Sequence, residues 1–305
     1  MVMNPLVSIV VTSYNQKDIL PRAIDSVLSQ TYNNIQIVIA DDGSTDNSQD
    51  LINRYFQNFP HKIKPVLSPK NQGIPKNKNM GFRACDGDFI TYLDGDDYYF
   101  PEKIEREIKV FQTDKSLDIV YSNFAYTDLS GSVYKYWKQN EVDAAKGYIF
   151  EDVFSRNFPF STLYRNELIR AELLKKINYY DENLIAYEDW DSRIRMTKTA
   201  KVGHSDYVGA AYVDDPRGIS KVEKRERLLQ EMRYVMKKNL HLLNNLDSYN
   251  KFKIIKTLES LLLQKEIYYS SSSTYKLWLV LRYAIITGDF QYLGKIVNKK
   301  IKLAK

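Results

Sequence analysis

The chain has 305 residues, of which 44% are hydrophobic and 27% are charged, and its formal net charge is +6. This composition excludes a disordered chain, and the length allows one large α/β domain with a helical appendage. The single cysteine, Cys85, excludes an intrachain disulfide and favours the reducing cytoplasm. No apolar run reaches the ~18 residues of a spanning helix. The basic charge comes without a nucleic-acid-binding motif, so we expect no nucleic-acid partner.

Short apolar runs and helical patterns alternate through the first hundred residues. Runs that are apolar and often rich in β-branched residues predict buried parallel strands, and they lie at 6–13, 34–42, 62–69 and 88–94. Segments with helical spacing or helix-capping residues lie between them, at 20–30, 43–57 and 74–87. Strands and helices that alternate at this spacing predict βαβ units in a doubly wound sheet.

The pattern loosens after residue 100. The predicted elements are a helix from Pro101, strands at 116–126 and 200–213, and mostly helical structure over 146–200. From about Ser220 onwards, the sequence has helical spacing and few helix breakers. We therefore predict two domains, a sheet domain over 1–218 and a helical C-terminal region over 219–305. The helical region is expected to serve acceptor binding, oligomerisation or membrane association.

Polar clusters follow three of the predicted strands at the point where each strand ends. They lie at 12–15, 41–44 and 94–97, and a further cluster lies at 188–191. The carboxyl ends of parallel strands meet at one edge of an open α/β sheet, and ligands bind there. Each cluster alone is compatible with a polar turn. Together they predict one binding site at this edge.

The turn at 94–97 places three carboxylates within four residues, directly after an apolar run. Like charges this close repel one another, and ionised carboxylates resist leaving water. A Mg²⁺ or Mn²⁺ ion would relieve this repulsion and hold a diphosphate, since carboxylate oxygens are hard ligands. Gly95 would let the backbone approach a ligand closely. The alternative is a solvated acidic turn without a metal.

Three stretches carry a family resemblance that covers roughly residues 5–220 in order. They are VSIVVTSYNQKDILPRAIDSVLSQTYNNIQIVIADDGSTD, NQGIPKNKNMGFRACDGDFITYLDGDD and YEDWDSRIR. These stretches resemble the inverting family 2 nucleotide-sugar glycosyltransferases of the GT-A fold. The resemblance implies a Rossmann-like sheet domain of the GT-A type, followed here by the helical C-terminal region. It also implies a metal-dependent enzyme, with Mn²⁺ or Mg²⁺, that moves a sugar from a nucleotide diphosphate to an acceptor hydroxyl.

The resemblance implies which residues bind the donor. The expected nucleotide-binding residues are Thr12, Tyr14, Asn15, Asp42, Asn71, Gly73, Lys78, Asn79, Asp94, Gly95 and Asp96. Asp42 matches the carboxylate that bonds the imide N–H of uracil. A UDP-sugar is therefore the expected donor and a dTDP-sugar the second choice, because thymine presents the same imide edge. Lys78 stands where the family usually has arginine, and lysine offers a point charge but no bidentate fork.

Metal-binding and catalytic roles are also implied by the resemblance. Asp96 is the expected direct metal ligand, and Asp94 is expected to lie nearer the ribose. Asp215 stands where many members have a histidine that completes the metal site, and it is equally compatible with a loop acid. Asp189 matches the general base that takes a proton from the acceptor hydroxyl. Its neighbour Glu188 is expected to orient the loop or to bind acceptor.

The acceptor side of the site is less specified. Trp190 is expected either to stack on an acceptor sugar or to belong to a core stripe, and Asp191 is expected to bind acceptor or orient the loop. The acceptor is expected to be a saccharide or a lipid-linked saccharide of bacterial surface polysaccharide assembly. Because no Q-x-x-R-W motif is present, we expect one sugar to be transferred per encounter.

Several alternatives stay open at this point. A nucleotide-sugar-binding module without catalysis would use the same pocket, and a sugar nucleotidyltransferase would release pyrophosphate instead of UDP. The basic tail at 294–305 is compatible with peripheral contact to anionic lipid at the inner face of the plasma membrane, or with a solvated helix end. A homo-oligomer is compatible with the helical region.

Overall fold

A computed structural model describes residues 4–138, 144–159, 162–216, 224–270 and 272–288. The chain divides into two compact units. The first unit comprises residues 1–150 and 159–222, and the second comprises residues 151–158 and 223–305. The basic tail at 294–305 lies outside the described residues.

The first unit is built on a mixed β-sheet. Among the described residues, its nine strands are β1 (Val7–Ser13), β2 (Ile35–Asp41), β3 (Ile63–Leu67), β4 (Phe89–Asp94), β5 (Tyr98–Tyr99), β6 (Ile119–Thr127), β7 (Val133–Tyr136), β8 (Leu168–Arg170) and β9 (Val202–Val213). The strand order is β3-β2-β1-β4-β8-β6-β9-β5, and β7 pairs with β6. The strands β3, β2, β1 and β4 are mutually parallel, as the alternating pattern predicts.

The helices of the chain follow in the same order along the sequence. They are α1 (Leu20–Leu28), α2 (Ser48–Asn58), α3 (Ile74–Arg83), α4 (Lys103–Thr113), α5 (Phe150–Ser155), α6 (Ala171–Lys176), α7 (Glu188–Thr197), α8 (Arg225–Asn239), α9 (Ser248–Tyr269) and α10 (Ser273–Thr287). A short 3₁₀ helix, Leu240–Leu243, follows α8 directly. The predicted combination of an α/β sheet domain and C-terminal helices is confirmed.

The strand pairing explains why the polar clusters meet. Ser13 pairs with Asp41 across β1 and β2, and Thr12 pairs with Asp94 across β1 and β4. β8 runs antiparallel to both β4 and β6, and β9 is parallel to β6. The carboxyl end of β9 therefore lies at the same edge of the sheet as Asp94. Chain segments that leave β1, β2, β4 and β9 all start at this edge.

Helix α3 packs closely on the sheet because Gly81 has no side chain. A Cβ atom at Gly81 would lie 2.4 Å from Cγ1 of Val10 and 3.2 Å from Cβ of Ala40. Val10 and Ala40 are fully buried in the strands beneath the helix. This close approach matters for the site, since α3 also carries Lys78.

Gly81→Ala should destabilise the protein by about 1–2 kcal/mol, because overpacking at Val10 outweighs the better helix propensity of alanine. Val10→Ala removes the methyl group that conflicts with the new Cβ atom. The double variant should therefore lose about 1–2 kcal/mol less free energy of unfolding than the two single variants lose in sum. Urea unfolding followed by circular dichroism measures all three. Lys76→Ala, at an exposed position of α3, is the control and should change stability by less than about 0.5 kcal/mol. Strict additivity of the two substitutions would contradict the packing argument.

The second unit holds the C-terminal helices. Leu263 and Ile267 of α9 pack with Leu279 and Val280 of α10 in a buried cluster. Arg233 of α8 forms an ion pair with Glu266 of α9 at 2.7 Å. In the part of the chain that the structure describes, none of the helices has both the length and the apolar character needed to cross a membrane.

Candidate active site

A cavity of about 830 Å³ opens at the edge of the sheet where β1, β2, β4 and β9 end. The structure brings most of the predicted site residues to its wall. Those that line it are Thr12, Tyr14, Asn15, Asp42, Asn71, Gly73, Lys78, Asp94, Gly95, Asp96, Glu188, Asp189 and Asp215. The last three arrive from parts of the chain far from the others in sequence. Glu188 and Asp189 form the first turn of α7, and Asp215 follows the end of β9.

Asp42 holds the loop that leads into α3. Its Oδ1 atom accepts a hydrogen bond from the backbone N–H of Gln72 at 2.8 Å, and its Oδ2 atom accepts one from Gly73 at 2.9 Å. The side chain is almost fully buried, and burial raises the pKa of Asp42. Each carboxylate oxygen can accept more than one hydrogen bond, so Asp42 retains capacity for a donor from a ligand.

The loops after β1 and β2 are joined by side-chain hydrogen bonds. The backbone N–H of Asn15 donates to Oγ of Ser44 at 2.8 Å, and the backbone N–H of Thr45 donates to Oδ1 of Asn15 at 2.8 Å. Asn15 adopts a positive φ of 52°, a conformation that asparagine tolerates better than most residues. These contacts fix one wall of the cavity.

Lys78 connects the acidic turn to the start of α7. Its Nζ atom lies 3.1 Å from Oδ1 of Asp94 and 3.4 Å from Oε1 of Glu188, and it faces the ring of Tyr92 at 4.5 Å. Burial alone would lower the pKa of Lys78, but Asp94 and Glu188 raise it above its ordinary value. Burial likewise opposes ionisation of Asp94, whose pKa is nevertheless lowered by Lys78. The sequence indicated a lysine at the nucleotide and did not indicate this bridge.

The acidic turn concentrates negative charge. Burial, together with the charges of Asp94 and Asp215, raises the pKa of Asp96. Asp97 is buried, its Oδ1 atom accepts a hydrogen bond from the N–H of Val213 at 2.8 Å, and burial raises its pKa well above the usual range. Gly95 is required by the fold itself, since a Cβ atom there would lie 2.5 Å from the carbonyl oxygen of Thr12. The lack of a side chain at Gly95 therefore allows the turn to pack against β1, and Gly95 also forms part of the cavity wall.

The donor set of this turn fits a divalent cation that is shared with a ligand. No three His, Cys, Asp or Glu side chains among the described residues form a complete metal site by themselves. Mg²⁺ is usually held by one or two carboxylates together with substrate phosphates and water. Asp94 and Asp96 provide such a partial set of ligands. A cation would stabilise the ionised form of Asp96, which burial and the neighbouring carboxylates disfavour.

Asp189 is held by a buried arginine that the sequence analysis missed. Oδ2 of Asp189 lies 2.5 Å from Nη1 of Arg193. Arg193 is fully buried and donates to both carboxylate oxygens of Glu167, at 2.8 and 2.9 Å, and to the hydroxyl of Tyr92 at 2.8 Å. The Asp189 side chain is 33% exposed, so its carboxylate is positioned from behind and remains open to the cavity. The spacing of four residues between Asp189 and Arg193 on α7 was the available sequence indication of this pair.

The structure does not bring three predicted residues to the cavity. Asn79 is fully buried, and its amide bonds the backbone of Tyr180 and the carboxylate of Glu182. Trp190 is 0% exposed, which agrees with the core interpretation and leaves no face for stacking on a sugar. Asp191 is also buried and forms an ion pair with Arg195 at 2.8 Å. Asn79 links α3 to the segment before α7, and Trp190 and Asp191 are buried side chains of α7 itself. All three therefore support the elements that carry the site and do not line the cavity.

Arg165 is a cavity residue that no motif indicated. It lies in the segment between α5 and β8 and lines the same cavity as the acidic turn. Its guanidinium lies 4.1 Å from the centre of the Tyr212 ring, and its Nη1 atom lies 3.7 Å from Oδ2 of Asp97.

Comparison with known protein families identifies the chain. The model of the family described as "Glycosyl transferase family 2" matches residues 8–176, which is more than half of the 305 residues. The protein belongs to glycosyl transferase family 2, as the sequence resemblance predicts.

Curated relatives match part of the chain. An uncharacterized glycosyltransferase from Nostoc sp. is 44% identical over 115 residues, which cover 38% of this chain and 35% of the relative. Chondroitin synthase from Pasteurella multocida is 32% identical over 205 residues, which cover 66% of this chain and 20% of that synthase. The matched region spans about a third to a half of the length of the first curated relatives.

Solved structures share the fold over most of the chain. The crystal structure of S. aureus TarS 1–349 in complex with UDP-GlcNAc has a TM-score of 0.67 at 19% identity, and covers 94% of this chain and 81% of TarS 1–349. The Pyrobaculum calidifontis mannosyltransferase PcManGT in complex with GDP-Man and Mn²⁺ has a TM-score of 0.58 at 15% identity, and covers 98% and 88% of the two chains. These likenesses confirm the predicted GT-A type of α/β fold.

Glu188 should make the stability of the protein depend on pH. Burial raises its pKa to about 7, although Lys78 opposes this shift. The folded protein therefore binds this proton more tightly than the unfolded chain does. The resulting stabilisation is complete below the unfolded pKa of about 4.5 and is lost as the pH rises through 7. Wild type should lose about 3 kcal/mol more than Glu188→Gln between pH 4.5 and pH 8.

Urea unfolding at both pH values, without divalent metal, measures this difference. Glu172→Gln, at an exposed position of α6, is the matched control and should follow wild type. Parallel pH dependences of wild type and Glu188→Gln would contradict the prediction.

Proposed function

We propose that this chain is a metal-dependent, inverting glycosyltransferase that transfers a sugar from a UDP-sugar to an acceptor hydroxyl, with a dTDP-sugar as the second choice of donor. One observation supports it above the others. A single cavity is bordered by the buried carboxylate of Asp42, the acidic turn at Asp94 and Asp96, and the oriented carboxylate of Asp189. Asp42 has the chemistry to bind the nucleobase, and Asp94 and Asp96 can hold the diphosphate through a metal ion. Asp189 can take the proton of the acceptor hydroxyl.

Asp42 supports a pyrimidine donor. A carboxylate accepts hydrogen bonds and donates none when ionised, so it favours a base edge that presents an N–H. Uracil and thymine present an imide N–H. The TarS complexes contain UDP and UDP-GlcNAc, whereas the PcManGT complex contains GDP-Man, so proteins of this fold bind both kinds of base. Guanine also presents a ring N–H, so uracil is placed first because Asp42 matches the carboxylate that the family resemblance assigns to uracil.

Asp96 and Asp94 would hold Mn²⁺ or Mg²⁺, with Asp215 as a further oxygen donor near them. When bound, the ion neutralises charge on the leaving diphosphate. The chain's own contribution is to keep two carboxylates at the end of β4 while Lys78 balances the charge of Asp94. The Mn²⁺ in the PcManGT complex shows that a protein of this fold binds such an ion.

Asp189 would act as the general base. Its carboxylate takes the proton of the acceptor hydroxyl as the acceptor oxygen forms a bond to the anomeric carbon. The bond from the anomeric carbon to the diphosphate oxygen breaks on the opposite face, and its electron pair leaves with UDP, so the anomeric configuration inverts. Arg193 keeps the carboxylate in place.

The acceptor would be a saccharide or a lipid-linked saccharide. We place the reaction in the cytoplasm or at the inner face of the plasma membrane, in bacterial surface polysaccharide assembly, with one sugar transferred per encounter. The chondroitin and hyaluronan synthases among the relatives support a polysaccharide setting.

Pyrimidine nucleotides should stabilise the protein selectively. With Mn²⁺ present and ligand at ~100 times its Kd, UDP should raise Tm by about 4–6 °C, since ligand that binds only the folded state adds about 2.7 kcal/mol. The effect of dTDP should be similar or smaller, and GDP and ADP at the same concentration should shift Tm by less than about 2 °C. Differential scanning fluorimetry measures the four nucleotides side by side. A larger shift with GDP than with UDP would contradict the proposed donor.

Asp189→Asn should lower UDP release from UDP-sugars by about 10²–10⁴-fold, because general bases contribute that much, while UDP affinity stays within about twofold. Asp96→Asn should instead weaken Mn²⁺-dependent UDP binding by at least about tenfold. UDP release is measured with a panel of UDP-sugars, and affinity by calorimetry.

Asp206→Asn is the matched control, since the Asp206 side chain is 95% exposed. It should leave both quantities unchanged. Full activity of Asp189→Asn would remove the proposed base, and release of pyrophosphate in place of UDP would indicate a nucleotidyltransferase instead.

A further inference from the structure

The positive charge that the family resemblance places next to the nucleotide is already neutralised in this protein. Lys78 stands at that position, and its buried ammonium lies within 3.4 Å of two carboxylates, those of Asp94 and Glu188. An ammonium that is paired with the ionised carboxylate of Asp94 and also contacts Glu188 has little charge left for a further anion. Unlike arginine, lysine also cannot present two parallel N–H groups to a phosphate. The cavity therefore needs another cation if it is to bind a diphosphate through a planar fork.

Arg165 has the properties of that cation. Its side chain is 32% exposed and lines the cavity with the acidic turn. The nearest carboxylate oxygen, on Asp97, lies 3.7 Å away, beyond hydrogen-bond distance. Among the described residues, none accepts a hydrogen bond from its guanidinium, so the N–H donors of this group are available to a ligand.

The position of the guanidinium is fixed by its neighbours. It lies 4.1 Å from the centre of the Tyr212 ring near the end of β9, and Tyr212 in turn packs edge-on against Tyr126. Asp97, its other neighbour, is held by the N–H of Val213. Arg165 is thus a pre-positioned cation beside the acidic turn.

We propose that Arg165 binds the diphosphate of the nucleotide donor through its guanidinium fork and so supplies the arginine that is absent at position 78. This inference rests on the proposed function. As the bond between the anomeric carbon and the diphosphate oxygen breaks, the electron pair moves onto the diphosphate. Arg165 offsets the negative charge that develops there, in addition to any divalent ion held by Asp96. Arg165 is then a catalytic residue, because it contacts the leaving group directly.

The test compares ligands that share the nucleoside and differ in phosphate. Calorimetry measures the Kd of UDP and of uridine, each with Mn²⁺ and with EDTA, for wild type, Arg165→Ala and Arg165→Lys. Arg165→Ala should weaken UDP binding by about 10–100-fold, and Arg165→Lys by about 3–10-fold, because a point charge replaces a bidentate fork. The Kd of uridine should stay unchanged in both variants. The loss for UDP should persist in EDTA, since it does not depend on the metal.

Arg106→Ala is the matched control, because Arg106 lies in the same unit, is exposed and pairs with Glu102 just before α4. It should bind UDP like wild type. Arg165→Lys keeps a cation beside Asp97, so it tests the fork even where Arg165→Ala loses stability. With both Arg165 variants folded by circular dichroism, wild-type affinity for UDP would overturn the inference. An equal loss for UDP and uridine would also overturn it, since the defect would then lie in the nucleoside pocket.

Kinetics add a second measurement. In UDP release from a UDP-sugar, Arg165→Lys should lower kcat as well as raise the donor KM, since the proposed contact strengthens as charge develops. A raised KM for the acceptor alone, with donor kinetics unchanged, would assign Arg165 to the acceptor and overturn the inference. A wild-type protein that binds no pyrimidine nucleotide would remove the proposed function and this inference together. If wild type binds UDP and the Arg165 variants bind it equally well, the inference alone would be removed.

Discussion

The buried ammonium of Lys78 is the contact on which the rest of the cavity depends. It joins Asp94 at the end of β4 to Glu188 at the start of α7, at 3.1 and 3.4 Å. Without a cation between them, two largely buried carboxylates would repel each other and resist ionisation. Lys78 therefore fixes the relation between the acidic turn and the helix that presents Asp189, before any ligand binds. The same contact takes the lysine charge out of use, which is why Arg165 becomes important.

A second buried cation, Arg193, also joins two carboxylates, those of Asp189 and Glu167. Arg193 bonds Glu167 through two parallel contacts and also bonds the hydroxyl of Tyr92, whose ring faces Lys78. Tyr92 thus lies between the two buried cations. Buried ion pairs contribute little net stability, because desolvation offsets most of their attraction. Their value in this protein lies in holding the carboxylates of Asp94, Glu188 and Asp189 at defined positions in the cavity wall.

The sequence predicted the first four strands, the helical C-terminal region and the location of the site because these depend on local patterns. It predicted no strand at β5 or β8, which are only two and three residues long. Apolar runs showed the strands, and the clusters at strand ends showed the edge of the sheet where the cavity lies. The contacts that complete the site join distant segments. Lys78 and Glu188 are 110 residues apart, and Glu167 and Arg193 are 26 apart. The spacing of residues along the sequence cannot indicate such distant pairs. The burial of Trp190 likewise depends on which other segments pack against α7.

Asp42 has a consequence for how proteins of this kind diverge. Its two oxygens hold the N–H groups of Gln72 and Gly73, so one side chain shapes both the entry to α3 and the place proposed for the nucleobase. A substitution there that suits a purine would also release the backbone of that connection. A lineage that shifts to another nucleotide must therefore rebuild the neighbouring loop in concert. Ancestral donor preference is for this reason expected to persist through later changes elsewhere in the site.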